Sequence, residues 1–245
     1  MGNKLILASN HAGAREWLFR VHKIHHIIQV PNPTPEGLGK SDHLIVAKTL
    51  PWPLLASLSG ACNQLFVLET NMQRGQRGKS LGYAELRANK ARLLPLKIEK
   101  SEVAATEDVV LVTRHPGAQA WLKRQFPEAP LLEHWEEADW ARVKKGTTVV
   151  GVFPPEMVER ICRKGGRFLA LQFNVPLNAG NAELTEAEML AHGPHLQGYA
   201  VRFWEPMVCL DCGADWIVPH SWSCPHCGGM GLYNARDAKM RYGMT

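Results

Sequence analysis

The segment Ser-Asn-His-Ala-Gly-Ala-Arg-Glu-Trp-Leu at Ser9–Leu18 recurs as Thr-Arg-His-Pro-Gly-Ala-Gln-Ala-Trp-Leu at Thr113–Leu122. The histidine, the glycine, the following alanine and the Trp-Leu pair match at an offset of 104 residues, and further matches continue in order at an offset of 103. Solenoid repeats have periods of a few tens of residues, so this longer period indicates two copies of one domain. Two joined copies predict a pseudo-twofold dimer in one chain, packed face to face, with a ligand site where the halves meet.

Each copy alternates short apolar strands with helices, which predicts an α/β fold. Runs such as Val109–Val112 are apolar throughout, as is typical of parallel strands buried on both faces. We therefore predict two tandem Rossmann-like domains with mainly parallel sheets, residues 1–100 and 101–205, followed by a small zinc ribbon and tail at 206–245. Within this scheme Lys100–Asp108 is the predicted linker, and Ile24–Val30 and Pro130–His134 are predicted strands.

The composition is that of an ordinary soluble protein. The chain has 245 residues, 45% of them hydrophobic, and a formal charge of +5. No apolar run is long enough to span a bilayer and the first residues lack a signal-peptide pattern, so we expect a cytoplasmic protein without membrane contact. The positive charge favours an anionic partner, although solubility alone would also explain a charge of this size.

The C-terminal region contains two Cys-x-x-Cys pairs separated by eleven residues, each followed by glycine. Four thiolates at this spacing predict a tetrahedral zinc site, and a closed, sulfur-only site predicts a structural role. A ribbon of this kind can also contact nucleic acid or a partner, but structural clamping is the favoured interpretation. The predicted ligands are Cys209, Cys212, Cys224 and Cys227.

The segment Arg114-His115-Pro116-Gly117 directly follows a predicted strand and opens a helix. Ligands of parallel α/β sheets bind at this carboxyl edge, where a helix start also presents unpaired N–H groups to an anion. Arginine offers a planar fork for phosphate, and histidine can move protons near neutral pH. The alternative is that the glycine makes a turn and the histidine caps the helix. For the Arg-His pair we favour function; the first copy keeps His11 but has Asn10 in place of the arginine.

The second copy resembles a small CRISPR-associated domain family of type III CRISPR loci, and the first copy resembles it more weakly. The resemblance depends on four motifs: Val-Thr-Arg-His-Pro-Gly-Ala-x-x-Trp-Leu from Val112, Gly-Val-Phe-Pro-Pro at Gly151–Pro155, Cys162-x-x-Gly165-x-Arg167-Phe168, and Glu183-Leu184-Thr185-x-x-Glu188-Met189. Members of that family are single copies that act as homodimers and are counted among the ring nucleases, which linearise cyclic oligoadenylate messengers. A tandem copy with a ribbon is a departure from that pattern.

The resemblance implies cleavage of a cyclic oligoadenylate, most plausibly the tetramer, by attack of a ribose 2′-OH and without a catalytic metal ion. It assigns His115 to proton transfer, Arg114 to charge on the transition state, and His11 to the pseudo-symmetric partner role or a contact with the ring. One chain would then act as a monomeric pseudo-dimer. The expected ligand-binding residues are Asn10, Gly13, Gly117, Asn71, Arg74, Arg77, Asn174 and Thr113.

Two features leave alternatives open. The family's Arg-Gly-x-Glu-Leu stretch keeps its arginine in the first copy, as Arg77, but not in the second, so the copies either complement each other in one composite site or have decayed toward binding alone. A non-catalytic binder that buffers the messenger is therefore one alternative. A zinc-ribbon protein that binds nucleic acid is the other, although lysine and arginine are scattered along the chain. For Asn71 and Asn174, a turn-forming role after a strand is about as plausible as ligand contact.

Overall fold

The structure is a computed structural model that describes residues 4–71, 79–102, 104–173 and 185–203, together with the backbone of 207–209, 215–216 and 232–234. The first copy consists of β1 (Leu5–Ser9), α1 (Ala14–His22), β2 (Ile28–Gln29), β3 (His43–Ala47), α2 (Trp52–Ala61), β4 (Gln64–Glu69), α3 (Tyr83–Ala88) and β5 (Arg92–Ser101). The second consists of β6 (Val109–Val112), α4 (Pro116–Gln125), β7 (Leu131–Leu132), β8 (Thr148–Gly151), α5 (Pro155–Arg163), β9 (Arg167–Gln172), α6 (Glu186–Ala191) and β10 (His195–Phe203). Short 3-10 helices lie at Pro35–Gly37 and Glu137–Ala141.

The two copies form one ten-stranded sheet in the order β2-β1-β3-β4-β5-β10-β9-β8-β6-β7. Within each copy the outer four strands are parallel and the last strand is antiparallel to its neighbour. Strands β5 and β10 pair in antiparallel register from Leu96 opposite Phe203 to Ser101 opposite Gly198. The prediction of two tandem Rossmann-like domains in a pseudo-dimer is confirmed.

The copies meet edge to edge, which corrects the expectation that they pack face to face. Both halves place their antiparallel strand at the edge, and an unpaired strand edge carries backbone groups that need partners. Pairing β5 with β10 satisfies these groups and leaves the two short strands β2 and β7 at the outer edges of the sheet.

The hydrophobic core that joins the copies lies on the face of the sheet that carries α2 and α5. Trp52, in the first turn of α2, packs against two rings of the second copy, with centroid distances of 5.2 Å to Phe168 and 5.1 Å to Tyr199. On the opposite face, α1 and α3 cover the first copy and α4 and α6 cover the second, each pair over a separate core. Among the described residues, the hydrophobic core that contains side chains of both copies is therefore the one on the α2–α5 face.

Helices α2 and α5 also bond to the central strands. The N–H of Ile98 donates to Ser59 Oγ at 2.9 Å, and its cross-strand partner Val201 hydrogen-bonds through its backbone to the Cys162 thiol. Burial raises the pKa of Cys162, and it raises the pKa of Cys62 to about 11. Both thiols are thus kept protonated in packed surroundings.

Three predicted boundaries differ from the structure. The outer strands are only Ile28–Gln29 and Leu131–Leu132, and β5 extends to Ser101, into the predicted linker. An edge strand has one neighbour, so its length depends on that neighbour rather than on its own apolar run. Among the residues that the structure describes, none of the helices is long and apolar enough to cross a membrane.

Candidate functional site

The repeated histidines lie on two loops that follow β1 and β6, at the carboxyl end of each strand. In the first copy the Ser9 hydroxyl accepts the N–H of His11 at 2.9 Å, and in the second the Thr113 hydroxyl accepts the N–H of His115 at 3.2 Å. These matched bonds hold the histidine backbone at the same place in both copies. Thr113, expected to contact ligand, is buried and has this structural role, which the residue type alone did not reveal.

In the second copy the loop is short and is held by several hydrogen bonds. His115 is the residue before α4, and its carbonyl accepts the N–H of Gln119 at 3.0 Å. The Gln119 side chain also donates to the Thr113 carbonyl at 3.0 Å. Arg114 is exposed, and the imidazole of His115 is half-buried and makes no capping hydrogen bond. The loop therefore carries a guanidinium and an imidazole on consecutive residues of a hydrogen-bonded backbone.

In the first copy, by contrast, the imidazole has a protein partner. The backbone N–H of Leu81 donates to His11 Nδ1 at 3.2 Å, and burial lowers the pKa of His11. The N–H of Ala12 donates to Ser80 Oγ at 2.9 Å. The His11 loop is therefore joined to the segment that precedes α3, a contact for which the sequence contains no signal.

Glycine in this motif has a packing role in the first copy. A Cβ on Gly13 would lie 2.1 Å from the Tyr83 backbone nitrogen and 2.2 Å from the Gly82 backbone carbon, well inside van der Waals contact. Gly13 was expected to contact ligand, but its buried position allows two backbone segments to touch. Gly117 is also buried, within the first turn of α4.

The remaining predicted ligand contacts are divided between described and undescribed segments. Asn10 is exposed, and its N–H approaches the Ala47 carbonyl at 3.4 Å. Asn71 is exposed just after β4, and its N–H donates to the Asn89 carbonyl at 2.9 Å; its contact with ligand stays a prediction. The other three predicted contacts, Arg74, Arg77 and Asn174, lie outside the described residues.

The pseudo-symmetry relates the two loops across the whole sheet. Strand β1 is second from one end and β6 is second from the other, and three of the seven steps between them are antiparallel, which reverses their nominal directions. Each strand is also rotated by about 20–25° relative to its neighbour because the sheet is twisted. Over seven steps these rotations add up to roughly half a turn, which cancels the reversal of direction between β1 and β6. We therefore expect both carboxyl ends to point to the same side. A shared basic cavity stays a prediction, because 72–78 and 174–184, which follow β4 and β9, lie outside the described residues.

A charged contact crosses between the copies at the end of β4. Arg92 Nε donates to Glu69 Oε2, and Glu156 in the first turn of α5 lies within electrostatic range of both. Burial raises the pKa of Glu156, and the neighbouring Glu69 carboxylate raises it further. Because this contact depends on the pairing of β5 with β10, reading either copy alone does not reveal it.

The proposed zinc ligands fall almost entirely outside the described part of the chain. Cys209 is the last residue of β11 (Met207–Cys209), which pairs in antiparallel fashion with β12 (Asp215–Trp216) and β13 (Leu232–Asn234). The other three cysteines lie outside the described residues. Among the described side chains, no three His, Cys, Asp or Glu residues come together to hold a metal ion.

Comparison with known families recovers the duplication. A family described as "Putative CRISPR-associated protein (Cas_VVA1548)" matches the chain twice, at residues 6–99 and 110–202. No curated protein and no solved structure matches the chain. The two matches cover most of the sequence and correspond to the two halves of the ten-stranded sheet.

Proposed function

The chain belongs to this CRISPR-associated family in two tandem copies, and we propose that it binds a cyclic oligoadenylate, most plausibly the tetramer, and cleaves it at the Arg114–His115 loop without a catalytic metal ion. The observation that carries the proposal is the geometry of that loop. Arg114 is exposed and His115 is half-buried, on a backbone fixed by Thr113 and Gln119, at the carboxyl end of a parallel strand. Anionic ligands bind at such sites in α/β proteins.

The chemistry requires groups that this loop and the solvent supply. The ribose 2′-OH attacks the neighbouring phosphorus in line and releases its proton to water, the O2′–P bond forms and the P–O5′ bond breaks, which leaves a 2′,3′-cyclic phosphate and a free 5′-OH. Protonated His115 donates a proton to the leaving 5′ oxygen and regains one from solvent, and Arg114 stabilises the charge that builds on the phosphorane. The remaining task is to position the ring, which a loop held by backbone hydrogen bonds favours.

The first copy would bind rather than react. Asn10 stands where the second copy has Arg114, and His11 Nδ1 already accepts a backbone N–H. Both features suit contact with the ring more than proton transfer. Strands β1 and β6 lie seven steps apart in the sheet, roughly 33 Å at 4.7–4.9 Å per step. A composite site, in which the first copy holds one side of the ring and the second supplies the reacting groups, therefore requires the twist and coiling of the sheet to bring both loops toward one ligand.

We further propose that Cys209, Cys212, Cys224 and Cys227 bind one structural zinc ion. The donor set supports this, since four thiolates suit tetrahedral zinc and leave no open position for substrate. The antiparallel strands β11, β12 and β13 are compatible with a ribbon around such a site. Metal analysis of the purified chain tests it, with one zinc per chain expected and disulfide pairing of these cysteines as the contradicting result.

The decisive experiment is incubation of the chain with labelled cyclic oligoadenylates of several ring sizes, with and without EDTA, followed by chromatography. We expect linear products ending in a 2′,3′-cyclic phosphate, and equal rates under mild chelation. If the chain binds the ring and releases it uncut, it is a buffering protein for the messenger. If it binds none of the rings, the proposed function is wrong.

A further inference from the structure

Three backbone contacts lock the His11 loop to the segment Ser80–Gly82. Leu81 donates its N–H to His11 Nδ1 at 3.2 Å, Ala12 donates to Ser80 Oγ at 2.9 Å, and the N–H of Gly13 donates to the Leu81 carbonyl at 3.0 Å. The absence of a Cβ on Gly13 lets the two backbones touch. Because Leu81 is almost completely buried, at 1% exposure, its N–H bond to the imidazole is protected from competing water.

The first of these contacts determines the protonation state of the imidazole. A backbone N–H can bond only to a nitrogen that carries a lone pair, so Nδ1 is unprotonated and the proton of neutral His11 resides on Nε2. Burial lowers the pKa of His11, which further favours the neutral ring. Within the described part of the chain, Nε2 has no hydrogen-bond partner.

We propose that His11 is a positioning residue: through Nδ1 it fixes the Ser80–Gly82 segment against the β1–α1 loop, and it offers Nε2–H as a neutral hydrogen-bond donor to phosphate oxygen. The segment it fixes is the continuation of 72–78, which contains Arg74 and Arg77. The phosphate contact rests on the proposed function, whereas the anchoring does not.

The second copy cannot form the same set of contacts. Its residue equivalent to Ala12 is Pro116, which has no N–H and begins α4. The loop of the second copy therefore cannot form the equivalent of the bond from the Ala12 N–H to Ser80, because proline has no N–H to donate. The positioning role of His11 is therefore specific to the first copy, while His115 keeps the proton transfer assigned to it in the proposed function.

Two isosteric variants separate the two nitrogens of His11. In His11→Asn the amide oxygen occupies the place of Nδ1 but nothing replaces Nε2–H, whereas His11→Gln places its amide nitrogen near Nε2 but leaves no acceptor for Leu81. Without ligand, amide hydrogen exchange at Leu81 should be faster in His11→Gln and His11→Ala, by roughly tenfold for one lost hydrogen bond, and close to wild type in His11→Asn. Circular dichroism checks that all variants fold.

The tautomer is measured directly by long-range nitrogen–proton NMR of the wild-type imidazole, with the proton expected on Nε2. A proton on Nδ1, or Leu81 exchange that is the same in all variants, overturns the proposal. Titration with cyclic tetra-adenylate then tests the phosphate contact, and His11→Asn should bind several-fold more weakly than wild type. Equal binding by His11→Asn removes the Nε2–H contact. If wild type itself binds no ring, it is the proposed function that fails, because the NMR and exchange results are obtained without ligand.

Discussion

The loops after β1 and β6 descend from one repeated segment, yet they differ in what the histidine touches. In the first copy the imidazole of His11 accepts a backbone N–H, and in the second that of His115 makes no capping bond. The backbone is anchored in the same way in both, by the hydroxyls of Ser9 and Thr113. The two copies therefore share the backbone anchor of the loop but differ in the surroundings of the imidazole.

Proline has a direct part in that difference. Helix α4 begins at Pro116, two positions earlier than the corresponding start of α1 at Ala14, because proline is pre-organised for the first helical position. In the first copy Ala12 stands there instead, and its N–H bonds to Ser80. One substitution therefore decides whether the loop joins its own helix or the neighbouring segment.

The largest expected effect tests whether the two histidines have different tasks. His115→Ala should lower the rate of ring cleavage by about 10²–10⁴-fold while binding stays nearly unchanged, because proton transfer matters only in the transition state. Arg114→Ala should weaken binding of the ring and also lower the cleavage rate, since the arginine interacts with phosphate in the ground state as well as in the transition state. Single-turnover cleavage and equilibrium titration separate these effects.

His11→Ala completes this test, with the exposed His134 as a matched control. If the copies are specialised, His11→Ala weakens binding more than it slows cleavage of bound ring, and His134→Ala changes neither. An equal loss of rate in His11→Ala and His115→Ala would contradict the division of tasks and favour a symmetric site.

A second prediction concerns whether the two copies, and with them the two loops, unfold as one cooperative unit. Trp52→Ala removes the ring that packs on Phe168 and Tyr199 of the other copy, and it should cost about 3–5 kcal/mol of unfolding free energy. The lost contacts cross between the copies. The midpoint of denaturant unfolding should therefore shift by the same amount whether it is monitored by fluorescence or by circular dichroism. Separate transitions in the wild type would show that the copies unfold independently.

The third prediction tests whether glycine is needed at position 13 for backbone packing or for contact with the ligand. Gly13→Ala should destabilise the chain by about 1–3 kcal/mol even without ligand, because its Cβ has no space beside Gly82 and Tyr83. Gly60→Ala is the control: nothing lies within 4 Å of a Cβ built at this position in α2, and alanine there should be neutral or slightly stabilising. Thermal melts of both variants without ligand provide the measurement. Unchanged stability in Gly13→Ala would contradict the packing role.

The smallest expected effect is at the charged contact between the copies. The pKa of Glu156 is raised in the folded state, by burial and then by Glu69, so ionisation of Glu156 as the pH rises through that pKa destabilises the fold. Glu156→Gln should therefore increase the unfolding free energy by about 0.5–1 kcal/mol near neutral pH and by progressively less as the pH falls below about 4, where the carboxyl becomes protonated in both states. Urea unfolding across this range checks the sign. A gain that grows at low pH would be the contradicting result.

Much of the local structure could be predicted because it depends on short stretches of chain. The apolar run Val109–Val112 and the following Pro116 gave a strand, a loop and a helix start that the structure contains. The matching segments at Ser9 and Thr113 predicted two equivalent loops, and the family match supports the duplication. The domain boundaries at 100/101 and 205/206 and the zinc site stay predictions.

The contacts that separate the two histidines could not be predicted in the same way. Leu81 lies 70 residues from His11, and its N–H reaches Nδ1 only because the segment before α3 folds back to β1. Spacing along the chain carries no information about which nitrogen of an imidazole is occupied.

The sequence by itself determined the duplication, the α/β class and the carboxyl-edge position of both histidines, because periodicity, proline and glycine act over a few neighbouring residues. The tertiary structure decided that the copies join edge to edge through β5 and β10, that Trp52 lies in a shared core, and that Glu156 faces Glu69 and Arg92. These features arise when residues about a hundred positions apart satisfy open strand edges and buried apolar surface together. No local pattern encodes that pairing.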